Sequence, residues 1–167
     1  MIKKISILIG STVGLFLLWM IGLEKIYAQI LKFGASIILS PFSNVTPVLK
    51  MNSGHPDFCV AVGQDGYCMQ MELFGLSIIV LLSWYVMLVS LKPNKKIILT
   101  ALKHLAAFYL LQILTMSTLA LYDFGTFFQQ ANTALRQSFI IIALIFIIRD
   151  NYIYEVFTFK KEDKSIS

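Results

Sequence analysis

The stretch LEKIYAQILKFGASIILS, residues 23–40, decides the fold. If it crosses a membrane, everything after it is inverted. If it lies along the surface, the charges on the rest of the chain fall on consistent sides. Its periodicity favours the second reading: Lys25, Gln29, Lys32, Ser36 and Ser40 form a polar stripe, while Ile26, Ile30, Phe33 and Ile37 form an apolar one. A helix with one wet and one greasy face rests in the interface. Pro41 ends it, because the residue before a proline is pushed out of the helical region.

On either side the chain is too apolar for an ordinary water-soluble domain: 57% of its 167 residues are hydrophobic and 14% charged, and the mean hydropathy is +0.77. Three spans stand out, Ile5 to Gly22, Leu73 to Leu91 and Ile97 to Tyr122. Each is near or above the roughly 20 residues that cover a ~30 Å hydrocarbon core. The fourth is shorter: the apolar run Phe139 to Ile148 makes only about 15 Å of helix. Extending it back to Phe127 gives a span over 127–148 and places Arg136 inside the membrane, whereas a start near Gln137 leaves Arg136 at the headgroups.

Basic residues set the orientation. Lys3 and Lys4 precede the first span, Lys92, Lys95 and Lys96 lie between the second and third, and Arg149, Lys160, Lys161 and Lys164 follow the last. The positive-inside rule puts all three groups in the cytoplasm, which needs an even number of crossings and fits four. Loops 42–72 and 123–132 have Lys50 against Asp57, Asp65, Glu72 and Asp123, and face outward. The first span is read as retained, since its apolar core is longer than a signal peptide needs and no small-x-small site follows. The net charge of +5 sits at span ends, which suits anionic lipid and not nucleic acid.

The expectation is therefore one polytopic domain over residues 1–167, an all-α membrane protein. It has four transmembrane helices, an interfacial amphipathic helix over 23–40 and a short outer β-hairpin in loop 42–72. It sits in a bacterial inner (plasma) membrane with both termini cytoplasmic.

The hairpin holds both cysteines. Phe58 to Val62 and Tyr67 to Met71 flank Gly63-Gln64-Asp65-Gly66. With the turn centred on Gln64 and Asp65, Cys59 faces Gln70 and Ala61 faces Cys68, so the cysteines share a face on a diagonal of roughly 7 to 8 Å. A one-step shift of the turn brings them opposite. The spacing permits a Cys59–Cys68 disulfide without demanding one, and an oxidising compartment favours it. The competing reading is a free Cys68 nucleophile at the membrane surface, which needs a partner to lower its pKa. His55 and Arg136 are the candidates, and an arginine inside a span, at roughly 2.5 to 3.5 kcal/mol, calls for a partner of its own.

Other features read as structural. Lys103 and His104, at the cytoplasmic end of the third span, fit a snorkelling position. Tyr67, Trp84, Tyr85 and Tyr122 include interfacial anchors. Asn44-Val45-Thr46 matches the glycosylation pattern by chance, with Pro47 following. Two distant histidines with no carboxylate pair at helical spacing give no metal site. No glycine-rich phosphate loop or closely spaced cysteine motif is present, so no cofactor is expected.

The order of elements resembles the small exosortase and archaeosortase proteins over residues 20 to 150. An N-terminal span and interfacial helix are followed by a short extended segment, the cysteine Cys68 opening a span, a basic turn and two further spans. The resemblance implies a membrane thiol enzyme that cuts and transfers the C-terminal sorting tails of exported proteins, with Cys68 as nucleophile. Gln112-Ile113-Leu114-Thr115 has glutamine and threonine where the family has an asparagine and an arginine. Phe127 to Gln137 has no histidine, so Arg136 and His55 would stand in. The leading expectation is a membrane subunit or scaffold of a cell-envelope complex, its hairpin contacting other membrane or exported proteins; the alternative is the exosortase-like thiol transpeptidase or protease. A small transporter or channel is disfavoured by the scarcity of acidic residues in the spans, though Arg136 would suit an anion path.

Overall fold

The structure, a computed structural model, describes residues 2–42, 44–62 and 65–157. In chain order the elements are α1 (Ile2–Leu18), α2 (Glu24–Leu39), β1 (Val45–Asn52), β2 (His55–Val62), β3 (Asp65–Gln70), α3 (Glu72–Leu91), α4 (Lys95–Ser117) and α5 (Thr126–Tyr154). Four helices are long and apolar enough to cross a membrane: the kinked run Ile2–Leu39, Phe74–Leu91, Lys95–Tyr122 and Thr126–Tyr154.

The first of these runs from Ile2 to Leu39, where the sequence predicts a span over Ile5 to Gly22 and a separate helix over 23–40. Residues Trp19–Leu23 form one wide π turn, and Gly22 sits inside it at φ 144°, a left-handed geometry that favours glycine. The helix therefore changes direction without a loop. α2 then crosses α4, where Gly34 lets the two approach: a Cβ there would lie 2.2 Å from Ile113 Cδ1. The Tyr109 hydroxyl donates to the Ile30 carbonyl at 2.9 Å across the same crossing, and Tyr27 donates to Gln112 Oε1.

Burial divides α2 into three faces, not two. Ala28, Leu31, Gly34, Ala35 and Leu39 are buried against the protein, while Ile26, Ile30, Phe33 and Ile37 are exposed, as are Lys25 and Gln29. Ala28, Gly34 and Ala35 on the inner face permit close backbone approach beside Leu31 and Leu39, while Ile26, Ile30, Phe33 and Ile37 are left outside.

The hairpin is a correction. A third strand, β1, pairs antiparallel with β2, giving a sheet ordered β1-β2-β3. Pro47 is tolerated because β1 is an edge strand. The register is also shifted: Val62 pairs with Asp65, and Cys59 lies opposite Cys68 instead of Gln70. The expected turn at Gly63-Gln64-Asp65-Gly66 falls partly on Gly63 and Gln64, which lie outside the described residues. The sheet covers α2 and the last turns of α4, where the helix tightens into a 3₁₀ segment over Thr118–Phe124 before α5.

The fourth span is longer than its apolar run. α5 begins at Thr126 and continues through Arg149 and Asp150 to Tyr154, so Arg136 lies well within it. Buried Asn132 ties its first turns to α4, donating to the Thr115 carbonyl at 2.9 Å and to Thr118 Oγ1 at 2.8 Å and accepting from the Tyr122 hydroxyl at 3.2 Å. At the far end Lys92 donates to the Tyr154 carbonyl at 2.6 Å and Lys4 to the Val156 carbonyl. Cations there complete carbonyls that the helix leaves open and suit its negative end.

Candidate functional site

The sheet end brings the cysteines together. Cys59 and Cys68 are joined in a disulfide, with Cα atoms 4.0 Å apart. Val48, Cys59 and Cys68 form one row across the three strands. The neighbouring row is Leu49, Phe58 and Met69, and side chains alternate between faces along a strand. Phe58 and Met69 are buried; in the other row Val48 and Cys68, on the outer strands, are exposed while Cys59 on the central strand is buried, so alternation puts the disulfide on the face opposite Phe58 and Met69.

The other two residues of the thiol-enzyme reading make no hydrogen bond or ion pair with Cys68 among the described residues. His55 is four positions along β2 from Cys59, roughly 13 Å at strand spacing. Its Nδ1 is 3.0 Å from Glu24 Oε2. Arg136 is half-buried on α5, with Nε enclosed and no hydrogen-bond or ion-pair partner among the described residues. As joined, the Cys68 sulfur offers no thiolate.

His55 and Glu24 belong to a different feature. The bend at Gly22 opens a cleft of about 540 Å³ between α1, the start of α2, the β1–β2 turn and α3. Its walls are apolar, with Phe16 from α1, Met20 from the π turn and Leu76 and Ile79 from α3. Its polar groups are Glu24, Lys25 and His55. Glu24 is buried and His55 largely exposed, so the pair marks the boundary between the greasy wall and the sheet end.

The opposite end of the helices holds a cluster that sequence reasoning missed. Asp150 is fully buried, and its Oδ2 accepts from the Tyr85 hydroxyl at 2.8 Å. Tyr85 also contacts His104 Nδ1, which lies 3.4 Å from the same carboxylate oxygen. Arg149 Nη1 is 3.2 Å from His104 Nε2. An arginine only donates, so Nε2 accepts and the ring proton resides on Nδ1, facing the tyrosine and the carboxylate. His104 is stacked on Phe146, with centroids 4.4 Å apart and planes 9° from parallel. The result is a directed chain from Arg149 through His104 and Tyr85 to Asp150, tying α3, α4 and α5 together. Asp150 Oδ1 is buried and has no partner among the described residues. The signal was available: Asp150 is the single acidic residue between Thr126 and Tyr154. Ending the span at Ile148 removed it from the helix. Among the described residues no three His, Cys, Asp or Glu side chains are placed to hold a metal ion.

No family model matches this chain, and no curated protein or solved structure matches it.

Proposed function

We propose that this chain is an integral membrane subunit of a cell-envelope complex, presenting its sheet on the outer side as a docking surface for another membrane or exported protein. The observation that carries this reading is the use of both thiols to fix a sheet whose Phe58 and Met69 are buried and whose opposite row exposes Val48 and Cys68 on its outer strands, with Cys59 buried between them. A pre-fixed surface binds with less ordering cost than a mobile loop. The lysines gathered at the opposite end support a cytoplasmic position for both termini. The three faces of α2 suit an interface: Ala28, Leu31, Gly34, Ala35 and Leu39 toward protein, Ile26, Ile30, Phe33 and Ile37 toward lipid, Lys25 and Gln29 toward water.

An exosortase-like thiol enzyme requires a free Cys68 with a base in reach. The disulfide and the engagement of His55 by Glu24 support binding over catalysis. The test is the migration of the native assembly after mild solubilisation. Val48→Asp and Lys50→Glu, on the exposed row and edge of β1, should reduce it to the isolated chain without altering membrane insertion. Cys59→Ser and Cys68→Ser should weaken it equally. Unchanged assembly in all four variants would defeat the proposal, and a loss of function confined to Cys68→Ser would move the assignment to the thiol enzyme.

A further inference from the structure

We propose that the cleft at the Gly22 bend binds one zwitterionic phospholipid through a primary ammonium headgroup. This rests on the membrane reading of the chain but not on the docking role of the sheet. The argument begins with the lining of the opening: about 540 Å³ with mostly apolar walls, its charged side chains Glu24 and Lys25 adjacent in sequence at the start of α2 and His55 paired with Glu24. Phe16, Met20 and Leu76 remain 46%, 70% and 45% exposed, so the wall is unfinished by protein alone. An occupant needs an apolar tail for that wall and matching charges for Glu24 and Lys25.

Those two residues have opposite signs and are adjacent in sequence. Glu24 is 7% exposed and has one partner, His55 Nδ1 on Oε2; its Oε1 has no partner among the described residues. Lys25 is exposed and likewise has no partner among them. A carboxylate shielded by apolar walls and held by a single hydrogen bond is suited to a second donor, and an ammonium brings three N–H groups. A phosphate beside that ammonium would meet Lys25. A headgroup carrying both charges satisfies both side chains at once, whereas an anionic lipid satisfies Lys25 alone and sets its charge against Glu24. A trimethylated headgroup keeps the positive charge but has no N–H to give Oε1. Selection between amine and quaternary headgroups is therefore made by Glu24.

The test uses the full-length purified chain in bilayer nanodiscs holding equal amounts of phosphatidylethanolamine, its N-methyl, N,N-dimethyl and trimethyl forms, and phosphatidylglycerol. Retained lipid is read by native mass spectrometry after release. A charge-assisted hydrogen bond is enough for about tenfold discrimination, so one phosphatidylethanolamine should be retained about tenfold over the trimethyl form, with stepwise loss through the series. Glu24→Gln should abolish the preference, Lys25→Gln should lower retention of all zwitterionic forms, and Lys92→Gln at the far end should leave it intact. The methylation series is measured on the unaltered protein, so the outcome does not depend on whether a variant folds. Equal retention across the series, preference for phosphatidylglycerol, or a co-purifying apolar peptide in place of lipid would each overturn the proposal.

Discussion

The chain has two histidines, and each lies against a carboxylate. His55 Nδ1 is 3.0 Å from Glu24, with side chains 61% and 9% exposed, whereas His104 Nδ1 is 3.4 Å from Asp150, with side chains 10% and 0% exposed. The shorter contact belongs to the more open pair, so distance alone misjudges their importance. What separates them is the company they keep. His104 is stacked on Phe146 and contacts Tyr85 and Arg149 as well as Asp150, so three helices are committed to its position. His55 has one partner at the mouth of a cleft and can exchange it. Burial with several partners makes a clamp, and exposure with one makes a site.

The largest effect tests that contrast directly. Asp150→Ala leaves both Tyr85 and His104 without their shared acceptor, and each buried donor left unpaired costs about 1 to 3 kcal/mol. Glu24→Gln should cost under about 1 kcal/mol, since its partner returns to solvent. Unfolding in detergent measures both. Equal losses would erase the distinction between clamp and site.

Next comes the disulfide, which strengthens the sheet end as the polar cluster strengthens the other. Cys59 and Cys68 are nine residues apart, and a loop of that size is worth about 2 to 3 kcal/mol in the chain-entropy picture. Cys59→Ser and Cys68→Ser should lose it alike. Non-reducing mass spectrometry of the parent chain should find no alkylated cysteine, and membrane-impermeant thiol reagents should reach the loop only after reduction and only from outside. Labelling from the cytoplasmic side alone would reverse the proposed orientation.

A third variant separates the members of the clamp. Tyr85→Phe removes the hydroxyl between His104 and Asp150 while keeping the ring, and should cost about 1 to 3 kcal/mol. Tyr109→Phe is its control: that hydroxyl makes an exposed bond to the Ile30 carbonyl, and its loss should stay within about 0.5 kcal/mol. Similar values would mean the buried chain adds nothing beyond its separate bonds.

How much of this the residues announce depends on what kind of pattern carries it. The four long apolar helices, the end of α2 ahead of Pro41 and the shared face of the cysteines are period and composition, and they are readable. The register is not. Moving the turn by one step shifts the pairing by two residues and leaves every side chain on its original face, so alternation cannot choose between Gln70 and Cys68 as the partner of Cys59. β1 was obscured by Pro47 and Lys50, which suit an edge strand but weaken the strand signal. The inner face of α2 was hidden because its Ala28, Gly34 and Ala35 carry little hydrophobicity while the conspicuous isoleucines point outward. The clamp and the cleft pair residues 46 and 31 positions apart, as with His104 and Asp150 or Glu24 and His55, and only the helix packing brings them together.

The smallest effect is the most exacting test of the comparison. His55→Ala removes an exposed partner from a buried carboxylate, so the balance turns on whether Glu24 then meets water or lipid. Through the cleft water or a headgroup reaches Oε2, and the change in stability should stay below about 1 kcal/mol. His104→Ala has no such relief: it empties the stack on Phe146 and strips a donor from the Asp150 side of the clamp, where Oδ1 already lacks a partner among the described residues. Its cost should exceed that of His55→Ala by at least about 1 to 3 kcal/mol. Measured side by side by chemical unfolding in the same detergent, the two alanine variants should therefore differ in the opposite sense to their contact distances. If His55→Ala proves the more damaging, the cleft pair is the structural one, and the open site must be sought at the Asp150 end.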